Sequence, residues 1–336
     1  MRHGLLACLI SLPLLLNPIA SWAKEITEQQ ASKWLEDSLI LDRADDMYQL
    51  ILADDISSLE FSLQRLALPQ QEVVRYLLLQ HMEDQELILS EPVARFVQAQ
   101  LGVIATYQIK EQGDGYEIVV PAFNSSVIAS RLIKRREKDK GVLDFILAAE
   151  QKKLNLEHWL TGEEYQVSEK EKLLIAELDG LSPRALDALT QQLTQEAITH
   201  WLPSSSVVTR MAQVSKDPEM YALLWRMRAD NYSHNEIKRL GKEADPFSIE
   251  QLLAATSNPS LKAQATAELT KLNPLPIEVK TYLVNELRLE EDEQTQSIAR
   301  QLVDHGHRSW LEQVVSSKRG VNSNILLQVL SVSKEN

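Results

Sequence analysis

Cysteine is almost absent from this chain. Cys8 is the only cysteine and lies within the first 23 residues, so the other 313 of the 336 residues contain none. That part of the chain has no disulfide, no thiolate nucleophile and no cysteine-ligated metal site. A hydrophobic core is sufficient to stabilise a fold of this length without cross-links.

Glycine and basic side chains are also scarce. The chain has 10 glycines, a low number that favours helices over turns and strands. Its 35 Lys and Arg residues face 48 Asp and Glu residues, and without Arg2 the net charge is −14. Binding to nucleic acid requires a basic surface that neutralises phosphates. The composition therefore argues against nucleic acid as the main partner.

The first 23 residues have the pattern of a secretory signal peptide. Arg2 and His3 give a short polar start, an apolar run follows from Leu5 to Leu16, and the small residues Ser21 and Ala23 mark a cleavage site. We predict cleavage after Ala23, which leaves a periplasmic or secreted protein that begins at Lys24.

Two alternatives to a cleaved leader are weaker. A membrane anchor needs about 20 apolar residues, whereas this run is shorter and contains Pro13. The segment Leu5-Leu6-Ala7-Cys8 is similar to a lipid-attachment box, but such a cysteine follows the apolar run and Cys8 lies near its beginning. No later segment approaches the length of a membrane span, so we expect no transmembrane segment after cleavage.

Most of the chain shows the apolar spacing of short amphipathic helices. Met220, Leu223, Leu224 and Met227 fall at positions i, i+3, i+4 and i+7, which places them on one helix face. Helix starts are marked by capping residues, either before a proline or in a capping box. The predicted starts are Ser182-Pro183, Asp217-Pro218, Ser168 with Glu171, and Ser248 with Gln251.

One stretch, at about residues 104–121, has the two-residue period of strands. Tyr107 and Ile109 alternate with polar residues, Ile118 and Val120 flank a single residue, and Gln112-Gly113-Asp114-Gly115 lies between the two runs. This pattern predicts a β-hairpin. Because an isolated hairpin is only marginally stable, we expect these four apolar side chains to pack on neighbouring helices.

Weak boundaries divide the helical pattern, at Thr161-Gly162-Glu163-Glu164 and Pro203-Ser204-Ser205-Ser206. We predict an N-terminal helical region at 24–161, which includes the hairpin, and a C-terminal helical repeat region at 162–330. A frayed polar tail is predicted at 331–336.

The C-terminal half contains a degenerate echo. Ala265 and Leu269 are matched 33 residues later by Ile298 and Leu302. The first pair follows an Asn-Pro turn, and similar turns occur earlier: Asn258-Pro259-Ser260-Leu261-Lys262, Asp217-Pro218 and Asp245-Pro246. Over about residues 205–330 the chain resembles HEAT-like repeats, in which such a turn precedes an Ala- and Leu-patterned helix.

The resemblance implies an α-solenoid whose long surface binds another protein. An irregular helical bundle that uses common caps is the alternative, and fold alone does not determine function. No motif in the chain implies a cofactor.

Motifs of common catalytic sites are missing. The chain has no G-x-S-x-G elbow, no H-E-x-x-H, no glycine-rich phosphate loop and no EF-hand loop. A serine triad assembled from distant segments is not excluded by spacing. Acidic pairs such as Asp45-Asp46 and Glu163-Glu164 are typical of solvated caps and turns. The sequence favours a non-catalytic protein, and the alternative is an envelope hydrolase or a helical accessory domain that acts on glycan or peptide.

The strongest metal candidate is the segment that contains Asp304, His305 and His307. Two imidazoles and a carboxylate are suitable ligands for a transition metal. The same residues are also typical of a helix that ends at Gly306, and no further strong ligand lies nearby. We therefore expect no metal at this segment.

One basic cluster, between Arg131 and Lys140, interrupts the acidic sequence. Its candidate contacts for an anionic partner or lipid surface are Arg131, Lys134, Arg135 and Arg136. The alternative is a solvated helix end before Gly141. In either case the cluster is expected to be exposed, so that replacing Lys134, Arg135 and Arg136 together leaves the fold intact.

These observations predict an exported, all-α protein, built as a helix-hairpin array or α-solenoid with a single β-hairpin. Its predicted role is a non-catalytic scaffold or adaptor that binds another protein in the bacterial cell envelope.

Overall fold

The computed structural model describes residues 23–112, 117–195, 201–288, 292–317 and 323–332. Eighteen α-helices, one 3-10 turn and three short strands lie in these ranges. The predicted all-α array with a small β insertion is therefore confirmed. None of the helices in these ranges combines the length and the apolar character that crossing a membrane requires. Apart from Ala23, the predicted signal peptide lies outside the described residues.

The described residues form two compact units that divide after Gly141. The first unit contains β1 (Lys24–Glu25), α1 (Glu28–Leu35), α2 (Ser38–Leu52), α3 (Ile56–Gln64), α4 (Leu68–Asp84), α5 (Glu91–Gln100), β2 (Tyr107–Gln112), β3 (Glu117–Pro121) and the start of α6 (Ser125–Glu150).

The second unit begins within α6. It continues with α7 (Leu156–Trp159), α8 (Glu164–Glu177), a 3-10 turn (Leu178–Gly180), α9 (Pro183–Thr194), α10 (Ser205–Ser215), α11 (Pro218–Arg226), α12 (Asn231–Glu243), α13 (Pro246–Ala255), α14 (Pro259–Thr270), α15 (Ile277–Glu286), α16 (Asp292–Asp304), α17 (Arg308–Ser316) and α18 (Ser323–Val332).

The observed division lies about twenty residues before the predicted boundary at 161 and 162. Helix α6 continues through Gly141, and Phe145 and Ala149 near its end belong to the core of the second unit. The Phe145 ring contacts Trp159 of α7, with 5.2 Å between ring centroids. Thr161 and Gly162 form only the turn between α7 and α8.

The predicted hairpin is present, and a third strand extends it. β2 and β3 pair antiparallel with Ile109 opposite Val120, and β1 pairs parallel with β2. The Lys24 N–H donates to the Thr106 carbonyl at 2.7 Å. The sheet therefore begins at the residue predicted to start the mature chain. A strand of two residues is too short to show a period, which is why the sequence did not indicate β1.

The apolar face of the hairpin packs only in part as expected. Tyr107 is buried, and Ile109 and Val120 are half-buried. Ile118 is 41% exposed, so the prediction is wrong for this residue. It pairs with Glu111, farther along the hairpin than Tyr107, whose ring packs edge-on against Trp34 of α1 at 5.1 Å between centroids.

The second unit is built from two series of helices. Each of α8, α10, α12, α14, α16 and α18 contacts the next in that order, and we call this series the even layer. The odd layer consists of α9, α11, α13 and α15, which contact one another in the same way. Helices adjacent in sequence, such as α10 and α11, contact across the layers. The second unit is thus an array of helical hairpins.

The residues of the 33-residue echo occupy equivalent places in this array. Ala265 and Leu269 are buried on α14, and Ile298 and Leu302 are buried on α16. Asp217, Asp245 and Asn258 all cap helices with their side chains, but α11 and α13 belong to the odd layer and α14 to the even layer. The Asp/Asn-Pro turn therefore starts helices of both layers.

The predicted helix starts are confirmed at Ser182 and Asp217, whose side chains accept hydrogen bonds from first-turn N–H groups. The two predicted capping boxes are wrong. Helix α8 begins at Glu164, which places Ser168 inside it. Asp245 with Pro246 starts α13 ahead of Ser248, and the Ser248 N–H donates to Asp245 at 2.6 Å.

The predicted tail begins later than expected. Ser331 and Val332 belong to α18, and residues 333–336 lie outside the described residues.

Candidate binding surface

The first of two open grooves on the even layer has a volume of about 540 Å³. Side chains of α8, α10 and α12 line it: Ser168, Glu171, Lys172, Ile175, Ser204, Ser206, Thr209, Arg210, Gln213 and Tyr232. Most are hydroxyl, amide or charged side chains, and the Tyr232 side chain is 53% exposed. We call this cavity the first groove.

Hydrogen bonds fix the wall of the first groove at the start of α10. Ser204 is the N-cap residue, yet its hydroxyl contacts Ser206 at 2.7 Å and does not cap the helix. The Ser204 N–H donates to Glu171 at 2.9 Å. Thr209 is buried, and its hydroxyl has no hydrogen-bond partner among the described residues. Arg210 forms an ion pair with Asp179, which reduces the net charge in the groove.

The second groove lies between α14 and α16 and has a volume of about 690 Å³. It is lined by Pro259, Lys262, Ala263, Thr266, Glu293, Gln294, Ser297, Ile298 and Gln301. Thr270, at the end of α14, approaches His305 beyond the end of α16 at 3.2 Å. Because Lys262 and Gln294, near the starts of these helices, share Glu286, the two helices run in the same direction.

A buried polar network lies between the two layers near the first groove. The Glu236 side chain of α12 is fully buried and accepts four hydrogen bonds from three residues. Tyr221 donates to Glu236 at 2.7 Å, Gln213 donates at 2.6 Å, and Arg239 donates at 2.6 and 2.9 Å. Arg239 also pairs with Glu243. Gln213 therefore connects the lining of the groove to this network.

The network has fixed protonation states at neutral pH. Burial, together with the neighbouring Glu236, raises the pKa of the Tyr221 hydroxyl, so Tyr221 stays protonated and donates. The hydrogen bonds with Glu236 raise the pKa of the Arg239 guanidinium, which stays charged. Because every acceptor position of Glu236 is occupied by a donor of its own chain, the network is a structural tie between helices and not a free acid or base.

Sequence reasoning missed this network, although a signal was present. Ser233, Glu236, Ile237 and Leu240 occupy the buried face of α12 at spacings of three and four residues. An acidic residue on an apolar face is rarely buried without a partner. The exception on this stripe could have identified Glu236 as a buried ion-pair residue.

The predicted basic cluster lies on α6 in the first unit, and its arginines contact the end of α4, the start of α5 and the segment between them. Arg131 donates to both oxygens of Glu83 at 2.6 Å. Arg135 approaches the carbonyls of Met82 and Glu83 at 3.4 Å. Arg136 approaches the Leu89 carbonyl at 3.4 Å and pairs with Glu91.

These contacts correct two expectations about the basic cluster. Arg135 and Arg136 are half-buried, whereas Lys134 is exposed. The alternative of a helix end before Gly141 is also wrong, because α6 continues to Glu150. Of the four candidate residues, Lys134 is the one that the described structure leaves without an internal contact.

Asp304, His305 and His307 lie at the predicted end of α16. Gly306 adopts a φ of +85°, and the His307 N–H donates to the Leu302 carbonyl at 2.8 Å. This is the arrangement that ends a helix with a left-handed glycine. Asp304 is exposed, His305 contacts Thr270, and His307 is buried with its Nε2 unpartnered among the described residues.

A smaller groove of about 290 Å³ in the first unit brings Asp45, His81 and Asp84 to one surface between α2 and α4. The His81 ring stacks on Tyr48 with 4.1 Å between centroids, and its Nδ1 lies 4.0 Å from Asp45. Asp45 and Asp84 are both exposed. Acid–base catalysis by two carboxylates requires different environments, which two solvated groups do not provide.

In the part of the chain that the structure describes, no three His, Cys, Asp or Glu side chains are arranged to hold a metal ion. Comparison with protein-family models, curated proteins and solved structures found no match for this chain. The functional argument therefore depends on the grooves themselves.

Proposed function

We propose that this protein is an exported, non-catalytic scaffold or adaptor of the bacterial cell envelope, which binds another envelope protein along the even layer of its second unit. The supporting observation is that two grooves, of about 540 and 690 Å³, lie on one series of helices. Both are open and are lined by hydroxyl, amide and small apolar side chains, which can hydrogen-bond to a polypeptide backbone.

A repeat architecture of HEAT-like type is part of this proposal. The equivalent burial of residues 33 positions apart on α14 and α16 supports it. Arrays of helical hairpins expose long continuous surfaces that suit extended partners.

An envelope hydrolase is less well supported. Among the described residues, each even-layer groove is lined by one carboxylate, Glu171 or Glu293. Glu171 already accepts a backbone N–H. Cleavage of a glycosidic bond by paired carboxylates requires two such groups on opposite sides of the scissile bond.

Site-specific photo-crosslinking in intact cells tests the binding role. A photoreactive amino acid at Ser206 in the first groove, or at Ser297 in the second, should capture the same envelope protein. Glu250 and Glu278 are exposed on the odd layer and serve as matched control positions. The captured protein is then purified and its affinity measured directly. Equal capture from groove and control positions, or no direct binding, would contradict the proposal.

Export is tested separately. N-terminal sequencing of the protein recovered from the periplasm or medium should begin at Lys24. A cytoplasmic protein that retains Cys8, or one that carries lipid on it, would contradict the proposed location.

A further inference from the structure

We infer that the second groove binds an extended, positively charged segment of the partner polypeptide, with a Lys or Arg side chain of that segment against Glu293. This inference rests on the proposed scaffold function and specifies the chemistry of its partner.

The shape of the second groove fits an extended backbone. Ala263 on α14 and Ser297 on α16 are small and exposed, so the two helices leave open space between them. From Pro259 to Thr266 the groove extends about 10 Å along α14, at about 1.5 Å per residue. A strand-like peptide rises about 3.3 Å per residue, so about three of its residues fit along the groove.

The groove walls offer the polar contacts that such a backbone needs. The amide of Gln294 donates to Glu286 at 3.1 Å, which leaves its carbonyl oxygen to accept. The Gln301 amide makes only contacts of 3.4 and 3.5 Å with Ser297 and Thr270. Both side chains can therefore exchange their present partners for groups of a bound peptide at low cost.

The charge of the groove selects the sign of the segment. Lys262 lies 2.8 Å from Glu286, whose side chain is only 11% exposed, so this cation is already balanced. Glu293 is exposed and forms no ion pair with a described residue. The charge that remains at the groove is therefore negative, and the net charge of −14 for residues 24–336 adds a long-range attraction for cations.

Charge reversal at the groove tests the inference. The variant Glu293→Lys should reduce capture of the partner at Ser297 by about tenfold, the effect of losing one close charge pair at an interface. The matched control Glu250→Lys makes the same change of net charge on the odd layer and should leave capture within about twofold. Circular dichroism of both variants verifies that they fold.

A peptide probe gives an independent measurement. A fluorescent Lys-Ala-Ser repeat peptide of about twelve residues, long enough to cross the groove, should bind the full-length protein more tightly than a Glu-Ala-Ser repeat. Its binding should weaken with salt and with Glu293→Lys but not with Glu250→Lys.

The outcomes separate this inference from the proposed function. Mass spectrometry of the crosslink at Ser297 identifies the captured segment. A segment without Lys or Arg, or equal effects of the two charge reversals, overturns the charge inference while the scaffold proposal stands. If neither groove position captures a partner in preference to the odd-layer positions, the scaffold proposal itself fails.

Discussion

The two units differ in the separation along the chain of the residues that tie their elements together. In the second unit, side-chain hydrogen bonds between helices repeatedly join residues 30 to 35 positions apart, as in Gln264 with His234, Ser204 with Glu171, Asn258 with Trp225, and Thr270 with His305. In the first unit, Arg131 reaches Glu83 over 48 positions, and β1 pairs with β2 from the other end of the unit. A repeated separation is what an array of similar hairpins produces.

The units also place their charged ties differently. Glu236 of the second unit is enclosed between the layers, whereas Arg131 and Arg136 of the first unit remain partly exposed. Buried ion pairs cost the most when one member is removed, because the other charge stays in a poorly solvated place. The comparison therefore teaches that the second unit depends on a few enclosed groups and the first on several weaker surface contacts.

Removing Glu236 is the strongest test of this difference. Glu236→Ala leaves Arg239, Tyr221 and Gln213 without their common acceptor and should lower the free energy of unfolding by about 3–5 kcal/mol. The measurement is urea unfolding followed by circular dichroism.

The matched control for that variant is Glu243→Ala. Glu243 binds the same guanidinium from a partly exposed position, so its removal should cost less than about 1 kcal/mol. Equal losses from the two variants would show that burial of Glu236 is not what makes the network strong.

A smaller effect is expected in the first unit. Arg136→Glu removes the contact with the Leu89 carbonyl and places two carboxylates together beside Glu91. It should lower stability by about 1–3 kcal/mol. Lys138→Glu makes the same charge change at an exposed position of α6 and should stay within about 0.5 kcal/mol.

This comparison also revises the triple replacement of Lys134, Arg135 and Arg136. Such a variant removes internal contacts as well as surface charge, so slower partner binding would not identify a docking site. If Arg136→Glu proves as harmless as Lys138→Glu, the contacts between α6 and Glu91 contribute nothing measurable to the fold.

The sequence predicted well what local chemistry determines. The proline-preceded caps at Ser182 and Asp217, the glycine that ends α16 and the switch to a two-residue period at Tyr107 all depend on neighbouring residues. The capping boxes failed at Ser168 and Ser248 because stronger or earlier start signals lay upstream, which a match to a short motif does not consider.

The sequence did not predict what distant segments determine. Glu72 is buried in α4 and accepts hydrogen bonds from the N–H groups of Thr106 and Tyr107 at 2.9 and 3.2 Å, which fixes the start of β2. Neither partner is marked by spacing. The grooves were equally hidden, because the absence of large side chains at Ala263 and Ser297 becomes a cavity only when α14 and α16 lie side by side.

The smallest expected effect concerns the pH dependence of the second unit. Burial lowers the pKa of His307 below its ordinary value of 6.5, and nearby His305 and Lys280 lower it further, while the carbonyls of Thr270 and Leu272 act in the opposite direction. In the unfolded chain the imidazole is solvated and takes up a proton near pH 6.5. Below that pH the unfolded state therefore binds more protons than the folded state.

The sign of the effect follows from this difference. The contribution of His307 to stability is complete above pH 6.5 and is lost as the pH falls from 6.5 towards the pKa of the folded state. His307→Gln removes the titrating group and should flatten the urea midpoint between about pH 7.5 and 5.5. His305→Gln, two residues away on the same turn, should keep most of the slope. An unchanged slope in His307→Gln would mean that protonation of this buried ring does not oppose folding, and that the second unit tolerates charge at the α16–α17 junction as well as the first unit does at its exposed arginines.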